Sequence, residues 1–484
     1  MKLRDLLKDV EILEYGAGPD MEISDVSHDS RRTRKGDLFV AVRGFESDGH
    51  RYIGKAAEAG AAVVLCEERP ETEIPYILTA DSRKALALVS RNYFGDPAAE
   101  MKLIGVTGTN GKTTTTMLIK HVMETLTGEK LGLIGTNQNM IGTAVLPAER
   151  TTPEAYELQR LFREMADGGC KYVVMEVSSH ALALDRVAGV HFEVAVFTNL
   201  TQDHLDFHGT MAEYAGAKAL LCMRCSAAAI NMDDVWGGYM AERAQGFVFT
   251  YSEAKPEADL IAKDVRLSPS GVRFIAFTGG RLERVYLEIP GRFSVYNAMG
   301  VISACLLLGF DLAQICEALR TAKGVKGRVE VVPTPDDFTI LIDYAHTPDA
   351  LENVLRSMRE VAVGRVVVLF GCGGDRDRAK RPIMGDIATS LADYAIITSD
   401  NPRTEEPGAI ITDILAGVKV PKNRYRVIED RREAIAYAID SHRAGDLIIL
   451  AGKGHETYQI IGKTKRHMDE RELVAEHLGE LKRT

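Results

Sequence analysis

No stretch of this 484-residue sequence reaches the ~18 consecutive apolar residues of a membrane-spanning helix, so membrane insertion is not expected. The amino-terminal segment MKLRDLLKDVEILEY is broken repeatedly by charge and lacks the apolar centre of a secretory signal, which predicts a cytoplasmic protein. Cysteine is sparse: seven residues, odd in number and scattered over positions 66 to 372, do not form the framework of a disulfide-stabilised secreted chain, and free thiols are expected. Positive charge is also in deficit, with 59 Lys and Arg against 69 Asp and Glu. A net charge of −10 repels polyanions and argues against a nucleic-acid partner. What is present, 45% hydrophobic and 26% charged residues, is the balance of a globular chain and excludes disorder.

At roughly 150 residues per domain the length suggests about three domains. The patterning changes near residue 100, after a helical run that stops at Gly95-Asp96-Pro97, and near residue 327, in the glycine-rich basic link KGVKGR. These changes divide the chain into 1–99, 100–326 and 327–484. In the middle segment, apolar runs of strand length end in polar or glycine-rich clusters: LIGV before TGTNGKTT, YVVMEV before SSH, VAVF before TNLTQDHLD, AAAI before NMDD. The last segment repeats the habit with TILI before DYAH, RVVVLF before GCGGDRD, YAII before TSDNPR and LIIL before AGKGHE. Continuous apolar strands joined by helical patterns imply parallel sheets covered on both faces, with ligands beyond the strand carboxyl ends. The expected fold is α/β: a small amino-terminal α/β domain, a central doubly wound P-loop domain and a carboxy-terminal Rossmann-like domain.

LIGVTGTNGKTTTTMLIKHVMETL reads as strand, glycine loop and amphipathic helix. Gly108 to Gly111 let backbone N–H groups converge on phosphates. Lys112 supplies a point charge, and the hydroxyl of Thr113 can ligate Mg²⁺. ATP or GTP binding follows, although the loop is a variant: Val106 stands where the strict GxxxxGK[ST] pattern has its first glycine. Glu176 and His204 lie just past two strand ends and can ligate Mg²⁺ directly or through water. His204 and His208 around Asp206 lack a clear further zinc ligand, and Cys222-Met-Arg-Cys225 stands alone, so neither supports zinc or redox chemistry. By its own physics Lys218 reads as a solvated helix lysine.

Taken in order, TGTNGKTT, MEVSSHAL, NLTQDHLDFHG, YAGAKALL, YNAMGVISA, GRVE and DYAHTPDAL resemble the Mur ligase family over essentially the whole chain. The resemblance implies an ATP-dependent enzyme that joins an amino acid to the peptide of a UDP-N-acetylmuramoyl precursor through an acyl phosphate. It implies catalytic roles for Lys112, Glu176, His204 and Lys218, the lysine carrying a CO₂-derived carbamate that ligates Mg²⁺ with Thr113, Glu176 and His204. It assigns ATP to Gly108, Thr109, Asn110, Gly111, Lys112, Thr113 and Thr114, joined by Asn297, Arg328, Asp343 and His346, with Arg328 in a linker that closure would bring to the phosphates.

Within the family, SHDSRRTRKGDLFVAVRG, SDNPRTEEP and AGKGHETYQ resemble the enzymes that extend UDP-MurNAc-L-Ala-D-Glu by the third residue. The resemblance places the UDP-dipeptide on His28, Ser30, Phe45, Glu46 and Ser47 and on Thr151, Thr152, Ser178, Leu184 and Arg186. Many relatives have Gln in place of Leu184 and Asn in place of Arg150. The acceptor, meso-diaminopimelate, falls to Arg376, Asp400, Asn401, Pro402, Arg403, Gly452 and Glu456. Diaminopimelate has a second carboxylate that lysine lacks, and a planar guanidinium such as that of Arg403 can hold it by two parallel hydrogen bonds. The alternatives are a lysine-adding or folylpolyglutamate-type ligase and, in a different class, a non-catalytic nucleotide switch. A monomer is expected.

Overall fold

A computed structural model of the chain describes residues 1–44, 47–334 and 337–481. It divides into two compact units: residues 1–261 with 299–315, and residues 262–298 with 316–484.

In the first unit, a five-stranded sheet is built from Ile12–Gly16, Tyr76–Thr79, Val63–Cys66, Leu38–Val40 and Val26–Ser27, in that spatial order. All its pairings are parallel except that of Ile12–Gly16 at the edge. The second sheet of this unit runs parallel through Phe247–Ser252, Cys225–Asn231, Phe192–Phe197, Lys102–Thr107, Tyr172–Glu176 and Leu131–Ile134. Two short antiparallel strands, Asn139–Ile141 and Ala144–Leu146, extend its edge. Lys102–Thr107 lies at the centre, and every residue of that strand but Lys102 is buried, as its unbroken apolar run requires. Phe162, Met175, Phe192, Phe197 and Leu221 belong to the core on this sheet. Truncating such a side chain to alanine would cost about 3–5 kcal/mol for a phenylalanine.

In the second unit, Glu330–Val332, Thr339–Asp343, Leu447–Ala451, Val366–Phe370, Tyr394–Ile397 and Tyr425–Val427 form a six-stranded sheet. Only Glu330–Val332 is antiparallel. A hairpin, Tyr458–Ile461 with Thr464–His467, follows the strand Leu447–Ala451. The eight apolar runs read as strands in the two larger segments are all strands here. No described helix is long and apolar enough to cross a membrane. All seven cysteines are buried and unbridged.

Candidate active site

The glycine loop closes tightly onto its neighbouring strand. Gly108 has φ +152°, and a Cβ there would lie 1.9 Å from the Thr198 hydroxyl, so only glycine fits. Thr198 Oγ1 in turn donates to the carbonyl of Asn110 (2.7 Å), while the Asn199 side chain accepts from the Asn110 N–H (2.9 Å) and donates to its carbonyl (3.1 Å). The loop ends at Gly111, φ +85°, from which the helix Lys112–Thr127 starts with Thr113 and Thr114 buried in its first turn. Gly108 to Thr114 thus form one glycine loop at a helix amino terminus, the kind of cradle in which backbone N–H groups can meet a phosphate.

Two lysines converge on this cradle. Lys112 Nζ donates to the carbonyls of Gly108 (2.8 Å) and Thr109 (2.9 Å). Lys218, on the helix Met211–Cys222, donates to the same Gly108 carbonyl at 2.8 Å and lies 4.6 Å from the Tyr214 ring centroid. Lys218 is 1% exposed, so it is not the solvated lysine its local sequence suggests. Burial, reinforced by the Lys112 charge, pushes its pKa well below the usual value and favours the neutral amine.

Two strands flank the P-loop strand, Tyr172–Glu176 and Phe192–Phe197; Glu176 is the last residue of the first, paired with Val106 rather than lying past the strand end, and His204 comes after the second. Glu176 is buried, and its carboxylate accepts from Thr136 N–H (2.8 Å) and Thr136 Oγ1 (3.0 Å). His204 sits in left-handed backbone, φ 53°, before a short helix, with its ring 4.8 Å from that of His180. Partial burial, then the Lys112 and Lys218 charges, depress its basicity against the opposing pull of Asp203. Among the described residues, no group of three or more His, Cys, Asp or Glu side chains is assembled to hold a metal ion. Cys222 and Cys225 pack together instead: Cys225 Sγ donates to the Cys222 carbonyl (3.3 Å), and burial lifts their pKa values to about 12 and about 11.

Beside Glu176 the structure gathers four of the residues assigned to the UDP-dipeptide. Thr152 Oγ1 donates to the Glu176 carbonyl (2.8 Å), and Thr151 and Thr136 share a hydroxyl contact at 3.0 Å. Ser178 caps the helix Ser179–Ala183. Arg186 donates to the Thr152 carbonyl (3.2 Å) and pairs with Glu154 (2.8 Å), while its buried Nε lacks a partner among the described residues. Leu184 ends that short helix, half-buried and with no polar atom on its side chain. His28 and Ser30 lie in the loop after Val26–Ser27, and the His28 ring is 6.4 Å from that of Tyr156. Ser47 contacts the Tyr52 hydroxyl (3.2 Å), whereas Phe45 and Glu46 lie outside the described residues.

Asn297, Arg328, Asp343 and His346 belong to the second unit, so they are not gathered with the cradle inside one compact body. Asp343 is buried, accepts from the N–H groups of Val329 (2.8 Å) and Ala345 (2.8 Å), and has its pKa raised by burial. Arg328 lies over the Tyr344 ring (5.2 Å), with its buried Nε unpartnered among the described residues. His346 Nδ1 is bonded to the Tyr344 carbonyl (2.8 Å), and Asn297 is buried in the helix Phe293–Leu307.

The residues assigned to diaminopimelate cluster at the carboxyl ends of three adjacent strands, Val366–Phe370, Tyr394–Ile397 and Leu447–Ala451. Gly452, φ +112°, brings its Cα so near Asp400 that a Cβ would lie 2.8 Å from Oδ2. Asn401 Nδ2 donates to Glu456 Oε2 (2.9 Å). Arg403, φ 51° after Pro402, donates from Nη1 to the Gly374 carbonyl (2.8 Å); among the described residues its Nε–Nη2 edge makes no hydrogen bond. Arg376 is exposed, with Nη1 on the Asp375 carbonyl (3.0 Å). Among the buried cations that escaped sequence reasoning, two stand beside these residues. Lys453 bonds Asn401 and Glu456, and Arg431 holds the Ala451 carbonyl (2.8 Å) while pairing with buried Glu470 (2.8 Å). A glycine-flanked lysine directly after an apolar strand was the available signal for the first; nothing local marks the second.

A glycine loop at a helix amino terminus in one sheet and a cluster of charged side chains at the strand ends of another are the arrangement of a nucleotide-binding α/β protein with a second polar site. The chain belongs to the Mur ligase family. Residues 106–305 match the Mur ligase middle domain, 327–454 the Mur ligase glutamate ligase domain, and 22–108 the Mur ligase family catalytic domain. The chain is 47% identical to the UDP-N-acetylmuramoyl-L-alanyl-D-glutamate–2,6-diaminopimelate ligase of Clostridium botulinum, over 95% of this chain and 96% of the relative. It is 48% identical to the ligase of the same name from Caldanaerobacter subterraneus, over 99% of each. A solved structure of a ligase of that name matches all of both chains with a TM-score of 0.75 at 32% identity.

Proposed function

We propose that this protein adds meso-diaminopimelate to the γ-carboxylate of D-Glu in UDP-MurNAc-L-Ala-D-Glu at the expense of ATP, in cytoplasmic peptidoglycan precursor synthesis. The observation that carries the acceptor's identity is Arg403: its open Nε–Nη2 edge stands in the strand-end cluster that also holds Glu456, so the carboxylate of one amino acid end would find a donor there and its ammonium an acceptor. Residues 1–99 take the UDP-sugar, 100–326 the ATP and 327–484 the amino acid.

ATP phosphorylates the D-Glu γ-carboxylate, and the acceptor amine attacks the resulting acyl phosphate to give amide, ADP and phosphate. No side-chain nucleophile is required. Lys112 and the loop N–H groups hold the phosphates, and Arg186 with Thr151, Thr152 and Ser178 orients the dipeptide near the cradle. Lys218 fits its expected modification: a buried, neutral amine is the form that bonds CO₂, releasing one proton to leave an anionic carbamate. That carbamate, with Thr113, Glu176 and His204, would hold Mg²⁺, which supplies charge neutralisation at the γ-phosphate. The enzyme is read as a monomer.

The deciding experiment supplies purified protein with ATP, Mg²⁺ and the UDP-dipeptide and scans amino acids for phosphate release. Turnover with meso-diaminopimelate and little with L-lysine is expected; equal turnover with lysine refutes the acceptor assignment. A nucleotide switch would hydrolyse ATP without regard to either co-substrate.

A further inference from the structure

Lys453 lies in the acceptor loop between Gly452 and Gly454 and is wholly buried, at 0% exposure. Its Nζ donates to Glu456 Oε2 at 2.9 Å and to Asn401 Oδ1 at 3.2 Å. Asn401 Oδ1 also accepts from the Ile460 N–H at 2.9 Å, so both donors it meets require the oxygen on that side, and the amide has a single orientation. Its Nδ2 is thereby turned onto Glu456 Oε2, at 2.9 Å. Two donors saturate one oxygen of Glu456, while Oε1 has no hydrogen-bond partner among the described residues.

A buried ammonium is costly unless it is paired and hydrogen-bonded. Among the described residues Lys453 makes its side-chain hydrogen bonds to two side chains, Asn401 and Glu456, that the proposed function assigns to the acceptor. Arg431 makes the contrast: it grips the backbone carbonyl of Ala451 and the carboxylate of Glu470, neither of them an acceptor side chain.

Resting on the reading of this loop as the amino-acid site, we propose that Lys453 is a positioning residue for the acceptor. It locks the Asn401 amide and turns Glu456 so that Oε1 alone meets the ligand's ammonium, at a fixed distance from the Arg403 guanidinium. Its positive charge also offsets Glu456, so a bare cation gains less there than a zwitterion whose carboxylate reaches Arg403.

The test is steady-state kinetics of K453M with each substrate varied in turn. KM for meso-diaminopimelate should rise on the order of 10–100-fold, the loss of a hydrogen bond to a charged group, while KM for ATP and for the UDP-dipeptide stays as in the wild type. In K453M/E456Q the lysine change should add little to the effect of E456Q alone, because Lys453 acts through the Glu456 carboxylate. A parallel rise of all three KM values, or additive effects in the double variant, would overturn the proposal in favour of a purely structural lysine. Should K453M not fold, K453Q, which keeps a donor of similar reach, carries the same comparison with a smaller shift expected. Wild-type protein inactive with meso-diaminopimelate overturns the reading of the site itself; wild-type turnover with an unchanged K453 variant overturns the positioning role alone.

Discussion

Arg403 and Lys218 place opposite demands on a positive charge. Arg403 keeps Nη1 on the Gly374 carbonyl, and its other edge makes no hydrogen bond among the described residues, so in the proposed function its value lies in geometry as much as in charge. Arg403→Lys retains the cation but loses the two-point fork, and KM for meso-diaminopimelate is expected to rise about 10–100-fold with kcat less affected, measured by amino-acid-dependent phosphate release. At Lys218 an ammonium is disfavoured by burial and by Lys112, and it would repel a metal ion. Lys218→Ala should abolish ligation and recover part of it when a short carboxylic acid is added; full activity without the additive would refute the carbamate. The local sequence around Lys218, YAGAKALL, gives no hint of burial, because the group its ammonium bonds is the Gly108 carbonyl, 110 residues earlier in the chain.

At the scale of elements, the acceptor loops depend on a clamp built from the helix Lys380–Leu391. Arg381, fully buried, pairs with Glu405 (2.7 Å) and Asp413 (2.9 Å) and donates to the Gly373 carbonyl (3.3 Å). It thus ties the loop carrying Arg376 to the one carrying Arg403. The Arg381 guanidinium, and then the Asp375 N–H, hold the Glu405 pKa at about 2, below its usual 4.5. A carboxylate whose folded pKa is depressed brings stability that is complete above pH 4.5 and lost as pH falls towards 2. Glu405→Gln should lower the melting temperature at neutral pH and flatten the pH dependence of stability between 4.5 and 2, read by thermal denaturation across that range. The parallel strands were legible because burial on both faces leaves unbroken apolar runs. The antiparallel edge at Asn139–Ile141 and Ala144–Leu146 was not, since three-residue strands carry too little pattern to stand out from a loop.

For the molecule as a whole, two compact units with separate cores imply that unfolding is not a single two-state event. Calorimetry should resolve more than one transition. ATP with the UDP-dipeptide should raise the one belonging to the unit that holds the P-loop, and meso-diaminopimelate the one belonging to the unit that holds Arg403. A ligand at 100 times its Kd adds about 2.7 kcal/mol to the unit it binds. One transition moved equally by every ligand would contradict this division. Against a net charge of −10, the proposed function needs local cations at the anionic substrates, and it assigns Lys112, Arg186, Arg376 and Arg403 to that task.

The sequence alone determined the eight buried strands of the two larger segments, where the glycine loop lies and which polar clusters follow those strand ends, because these are local: apolar runs, glycine spacing and chain order need no partner to be read. The motif order also carried the family and the acceptor class. Only the tertiary structure decided what each polar group is bonded to. It buried Lys218 against Gly108, spent one edge of Arg403 on Gly374, committed Glu176 to Thr136, and placed Lys453 beneath Asn401 and Glu456. Those pairings join residues up to 110 positions apart, and burial and hydrogen-bond saturation are set by such distant neighbours rather than by adjacent sequence.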